Sequence, residues 1–382
     1  MKTYQTDCNI PDYTFKNDKR KNMKTILTIS ILCLSFLSAI SQNFTTIEDL
    51  GAGWDKKTIT GVKDGSILTL TKAFNKVWPT RPTADLLKNP VSNDGEGDYE
   101  IIVDSPNGYV SAFELGDDGE SFSACVWKRN NGHRLFAFVF QKMHGLSISQ
   151  IILFYDYDPA KGTLRPEHNE LTNFVPSYGT DYHPLTYELP RVGKDIVVKE
   201  YFMNWYSSIE HIYKWDGMNH HFADVKIEKF DQMRKLYTDD NDEFEDSDFT
   251  KYTLYDFDED GNPELWLSSQ NEEYQAIYSI VAGEIQMLSS TYFKTNFVFY
   301  SSGAIGAAGG CGTGCFATQC VVLSDSKITR KCDEFQIYNF EKDKIENSYT
   351  IDGQDVSKKD GEQMFKSLGQ AIEIKPDFRK LK

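Results

Sequence analysis

The chain has 382 residues with 41 basic and 57 acidic side chains, a formal net charge of −16. A field of that sign repels nucleic acid and anionic lipid and attracts cations. Aromatic residues make up 14% of the chain, chiefly Tyr and Phe, a composition that favours strands and flat contact surfaces for sugars or peptides.

The first 22 residues are polar and patternless and read as an over-extended start or an extension. From Met23 the pattern is that of a secretory signal peptide: Lys24, an apolar run over 26–37, then small residues, with Ala39 and Ser41 at the −3 and −1 positions. Cleavage after Ser41 would leave Gln42 as the mature N-terminus and 35 basic against 54 acidic groups, a net charge of −19. The run is too short to span a bilayer, and no later stretch approaches the ~20 apolar residues a span requires. Cys33 follows Leu32 rather than a small residue, which excludes a lipoprotein. The expected product is exported to the periplasm or beyond.

Weak helix patterns follow over 45–50 and 70–77, closed by Pro79 and Pro82. From Tyr99 onward the chain turns to strand-length apolar runs cut by Gly, Asp and Asn: 99–103, 122–127, 135–141, 148–155, 195–201, 209–215 and 220–225. Asn130-Asn131-Gly132 and Asp216-Gly217 are hairpin turns between them. Six of the ten residues in 238–247 are acidic, and such a block reads as a solvated linker. Strands resume at 252–257, 264–267, 274–280, 284–288, 297–300, 316–323 and 334–340. A closing helix starts at Ser357 with Asp360 as capping-box partner, and Met364, Phe365, Leu368, Ala371 and Ile372 fall on one face. The turn glycines at 162, 217, 261 and 283 give no fixed repeat. The fold class is mainly β, hairpin-rich and antiparallel, with a few short helices. Two β-rich domains are expected, 42–237 and 249–382, joined by an acidic linker at 238–248.

The motif with the most chemistry is Asp256-Phe-Asp258-Glu-Asp260-Gly261-Asn262-Pro263-Glu264. Carboxylates on alternate residues of a tight loop converge on one centre, glycine allows the bend, Asn262 offers its carbonyl, and Glu264 adds another acid. Hard oxygen ligands in this number suit Ca2+. An EF-hand would place glutamate at the twelfth position, where Leu267 stands, and would flank the loop with helices. This is a loop between strands.

The segment LYDFDEDGNPELWL resembles the DxDxDG–Pro–Glu–Leu hairpin of a group of secreted bacterial β-rich proteins, and it is similar to the calcium loops of integrin-type FG-GAP repeats. In the former group a Tyr-Ser strand and a Tyr-Thr-Ile-Asp-Gly helix entry follow, matched here by Phe299 to Gly303 and by Tyr349 to Gly353 running to Ser357. The resemblance covers residues 250–372, departs at the Gly- and Cys-rich stretch 303–315, and implies a structural calcium hairpin without catalytic residues.

Cys311, Cys315, Cys320 and Cys332 lie within 22 residues; after export, clustering of this kind means disulfides. The C-x11-C spacing does not make a zinc knuckle. If 316–323 and 327–340 form a hairpin about 324–326, Cys320 and Cys332 stand opposite each other, which pairs Cys311 with Cys315 and leaves Cys125 free and buried. Gly312-x-Gly314-x-x-Ala317 lacks the helix of a dinucleotide fingerprint. His220 and His221 would face opposite sides of a strand, and His144, His183 and His211 stand alone. No catalytic set is apparent. The sequence therefore points to an exported non-catalytic protein that binds a glycan, peptide or envelope partner; the alternative is a hydrolase of glycosidase type using a carboxylate pair that sequence cannot single out.

Overall fold

Most of the strand-length runs become antiparallel strands in the computed structural model, which describes residues 44–381 apart from 94–97, 115–118, 145–146, 178–184, 203–206, 241–248 and 293. The signal segment, with Ala39 and Ser41, lies outside the described residues, as does 241–248 of the acidic run. The described chain is mainly β, in four antiparallel sheets with five short α-helices.

The first sheet has seven strands in the order Ile59–Thr60, Thr163–Pro166, Ser147–Asp158, Arg134–His144, Glu120–Lys128, Tyr109–Glu114 and Tyr99–Asp104. Its central strands are buried on both faces because alternate side chains serve two different cores. Phe136, Phe138 and Phe140 meet the helices Ile47–Gly53, Ile67–Val77 and Arg81–Lys88 through Leu50, Phe74 and Leu86. Leu135, Ala137 and Val139 meet Ile196, Val198 and Tyr213 of the second sheet. That sheet runs His220–Ile227, Ser207–Trp215, Ile196–Phe202 and Leu185–Glu188.

The same division repeats downstream. The third sheet is Glu284–Thr291, Gln275–Val281, Glu264–Ser269, Phe249–Tyr255 and Arg379–Lys380. Leu265, Leu267, Ala276 and Tyr278 face the second sheet and the helix Phe230–Asp240, while Trp266 and Ile277 face the fourth. The Tyr278 hydroxyl donates to the Met233 carbonyl at 2.8 Å and the Tyr237 hydroxyl to Thr291 O at 3.1 Å, so two buried phenols tie that helix to the sheet. The fourth sheet has seven strands: Gln354–Val356, Lys344–Ile351, Lys327–Asn339, Cys315–Ser324, Ile305–Gly312, Thr295–Tyr300 and Ala371–Ile372. The helix Lys358–Ser367 covers part of its outer face.

The differences from the sequence reading have local causes. Helices Arg81–Lys88 and Phe230–Asp240 were hidden by brevity and by acidic neighbours, and the latter holds Thr238 and both following aspartates of the expected linker. The expected boundary near 240 falls at the end of that helix, whose Met233 and Tyr237 share a core with Ile209 before the acidic run and Tyr252 after it. Ser357 does cap the last helix, accepting from Asp360 N at 3.2 Å. Ala371 and Ile372, however, leave the helical face: Gly369 takes a φ of +86°, and both residues pair with Tyr300 and Phe299 as an edge strand. The Gly-rich stretch is a strand whose glycines admit close neighbours; a Cβ on Gly309 would stand 2.2 Å from Lys294 O.

Candidate metal centre

The acidic loop spans the reversal between Phe249–Tyr255 and Glu264–Ser269, which pair from Tyr255 opposite Glu264. Strand, not helix, therefore flanks it on both sides. Within the loop the backbone organises the carboxylates: Asp256 Oδ1 accepts from Asp260 N at 3.2 Å, and its Oδ2 from Gly261 N at 2.9 Å. Gly261 supplies a φ of +89°, the left-handed conformation that glycine adopts without Cβ strain.

Asp256, Asp258 and Asp260 each present an oxygen within 4.8 Å of the others', a spacing able to hold one metal ion. Asn262 contributes backbone: its N–H donates to Asp260 Oδ1 at 2.7 Å, and its carbonyl accepts from Ser326 Oγ at 3.5 Å. Glu264 is fully buried. Its Oε2 accepts from Phe257 N at 3.0 Å, while its Oε1 and the Oδ1 of Asp258 are buried without a hydrogen-bond partner. Burial, reinforced by the charges of Asp258 and Asp260, pushes the Glu264 carboxyl up to about 8. Burial also raises Asp258, with its two aspartate neighbours adding to the effect. A buried carboxylate and a half-buried one, each with an enclosed oxygen whose lone pairs are unused, cost folding free energy unless a proton or a cation satisfies them.

The loop is also held from outside its own hairpin. Ser326 N donates to Asp258 Oδ2 and Ser326 Oγ to Asp260 Oδ2, each at 3.0 Å. Ser326 sits in the turn between Cys315–Ser324 and Lys327–Asn339, where Asp325 and Ser326 both have positive φ, as a two-residue strand reversal demands. Gly303, at φ +84°, lies against the same loop so closely that a Cβ there would be 2.5 Å from Phe257 O. Phe257 stacks on Phe299 of the fourth sheet with 5.1 Å between ring centroids, which packs the loop against that sheet. The sequence motif identified the carboxylates but gave no sign of Ser326 or Gly303, which are distant in the chain.

The cysteines divide. Cys311 and Cys315 are disulfide-bonded with Cα atoms 5.1 Å apart, closing the tip of a hairpin. Cys320 and Cys332 are register partners, yet both stand as buried thiols rather than as a disulfide. Contact with Cys332, together with burial, holds the Cys320 thiol above its ordinary range. The expected turn, 324–326, is one residue too long: the reversal uses Asp325 and Ser326 alone, and a bulge at Thr329, between the pairs Val322–Arg330 and Leu323–Ile328, restores the Cys320–Cys332 register. Cys125 is a buried free thiol directed at Pro190 O, 3.2 Å away.

Among the histidines, His220 is buried between Trp127 and Trp215 while His221 is solvent-facing beside Glu170, on opposite sides of their strand. His211 pairs with buried Glu200 at 2.7 Å. No helix among the described residues is long and apolar enough to cross a membrane. Comparison of the sequence with protein-family models and with curated proteins finds no match.

Proposed function

We propose that the protein is an exported, non-catalytic β-rich binding protein, directed at a glycan, peptide or envelope partner, whose acidic hairpin takes up a structural divalent cation. The observation that carries the cation reading is the pair of buried, unpartnered oxygens, Asp258 Oδ1 and Glu264 Oε1, at a turn where three aspartates converge. All the candidate ligands are hard oxygens, which favours Ca2+ over softer metals. Mg2+ demands a stricter octahedron at shorter distances, which a turn already fixed by Ser326 and Gly303 accommodates less well. The role is structural on this reading because the loop closes a hairpin of the third sheet and is hydrogen-bonded through Ser326 to a turn of the fourth.

The test is thermal unfolding of the mature protein, stripped with chelator and then titrated. Extracellular calcium modules bind at ~0.1–1 mM, and a hundredfold excess over Kd adds about 2.7 kcal/mol. Calcium should raise Tm, magnesium should raise it less, and Asp258→Ala should remove the difference while the protein still folds. A wild-type melting curve unmoved by millimolar calcium would reduce the motif to an acidic turn.

A further inference from the structure

The second sheet has four strands and the first has seven, so their shared core cannot cover the whole inner face of the first. At the end that the described residues of the second sheet leave uncovered lies a cavity of about 480 Å3, within the range of small-molecule sites, ~300–1,000 Å3. Its floor changes character along each strand. On Glu120–Lys128 the inward positions read Trp127 and Cys125 in the core, then Ser123 and Ser121 in the cavity. On Arg134–His144 they read Leu135, Ala137 and Val139, then Gln141. On Ser147–Asp158, Phe154 and Ile152 give way to Gln150.

The polar positions are in register. Ser121 lies opposite Gln141, and Gln141 opposite Gln150, which makes a hydroxyl–amide–amide row across three strands. Packing does not require that row, because the same face one step along is apolar. Gln150 Nε2 donates to Gln141 Oε1, and Gln150 Oε1 accepts from Tyr187 N at 2.6 Å. This chain of bonds fixes both amides, and among the described residues no group accepts from Gln141 Nε2. Ser121 Oγ accepts from Glu114 N at 3.1 Å, leaving its own proton to be donated. Aromatic walls stand around the row: Phe113, which is 37% exposed, with Tyr187 and Tyr201. The acid in the described lining, Glu188, is paired with Lys199 at 2.9 Å, so among the described residues the site offers no uncompensated charge to a phosphate, a carboxylate or a peptide terminus.

We infer that this cleft between the first two sheets binds a neutral saccharide, with the Ser121–Gln141–Gln150 row hydrogen-bonding ring hydroxyls and the aromatic walls covering the sugar's apolar face. The inference deepens the binding-protein reading by giving it a place and a ligand class, and it is independent of the cation. Neutral hydroxyl and amide groups exchange hydrogen bonds with hydroxyls on near-equal terms with water. The aromatic rings then supply the apolar contact that makes binding net favourable.

Isothermal titration of the mature protein with glucose, galactose, mannose, N-acetylglucosamine, maltose, cellobiose and lactose tests it, with glucuronic acid and a neutral tripeptide as comparators. At least one neutral saccharide should bind in preference to both comparators. Gln141→Leu and Phe113→Ala should each weaken it roughly tenfold, the loss of about one well-placed contact, with Tm and the calcium response unchanged. Absence of binding by every saccharide, preference for the acid or the tripeptide, or affinity indifferent to both substitutions would overturn the assignment. A tripeptide bound alone would keep the binding-protein reading and remove the sugar. The calcium-dependent Tm reports on the metal centre separately.

Discussion

Replacing Glu264 by Gln removes one buried charge while keeping an oxygen to accept from Phe257 N–H. In the cation-free protein the Glu264 carboxyl is pushed from its ordinary 4.5 up to about 8, by burial first and by Asp258 and Asp260 next. The unfolded chain loses this proton near 4.5 and the folded chain keeps it until about 8. Between those values the folded state binds more protons, so its stability falls as pH rises and levels off above the folded pKa. An interval of about 3.5 units, at ~1.36 kcal/mol each, sets an upper bound of about 5 kcal/mol on the loss. Relaxation and water entry around the empty loop lower that figure. On the proposed cation reading, a divalent ion held by the aspartates beside Glu264 would favour its ionised form, so calcium binding should release a proton near neutral pH and should stabilise the protein more at pH 8.5 than at pH 5.5. Urea unfolding at a series of pH values, with chelator or with saturating calcium, measures both. The cation-free wild type should lose stability across pH 5 to 8 relative to Glu264→Gln, and calcium should abolish the slope. Parallel wild-type and variant profiles in chelator would refute the argument, because Glu264 would then titrate alike folded and unfolded.

Gly303→Ala should destabilise the protein and weaken calcium binding, because a φ of +84° and a methyl 2.5 Å from Phe257 O strain one residue in two ways. Strain of that kind costs ~1–3 kcal/mol, and the wild-type Tm retained by the variant would contradict the close approach of strand turn and loop. Peptide mapping without reduction should recover the Cys311–Cys315 link, leave Cys125 unmodified until denaturation, and after mild oxidation join Cys320 to Cys332. A 315–320 link would contradict the register. N-terminal sequencing of protein secreted by its own host should begin at Gln42, and a terminus at Met1 or Met23 would remove the export argument.

Local pattern was enough for the β class, the hairpin at Asp216-Gly217, the cap at Ser357 and the three converging aspartates, because strand alternation, turn chemistry and loop geometry are short-range properties written in consecutive residues. It also brought Cys320 opposite Cys332, although through a turn one residue too long and without the compensating bulge. The helix Phe230–Asp240 escaped because its stability comes from Met233 and Tyr237 docking on the third sheet rather than from its own acid-rich sequence. Ile305–Gly312 escaped because glycine carries no strand preference; close approach of neighbouring chain selected it. Ser326 and Gly303 reach the acidic loop across dozens of residues, and Ser121, Gln141 and Gln150 form a row only when three strands align. Contacts of that kind depend on which sheet faces which, and that choice is made by the burial of alternate side chains into separate cores, a property of the assembled stack rather than of any one segment.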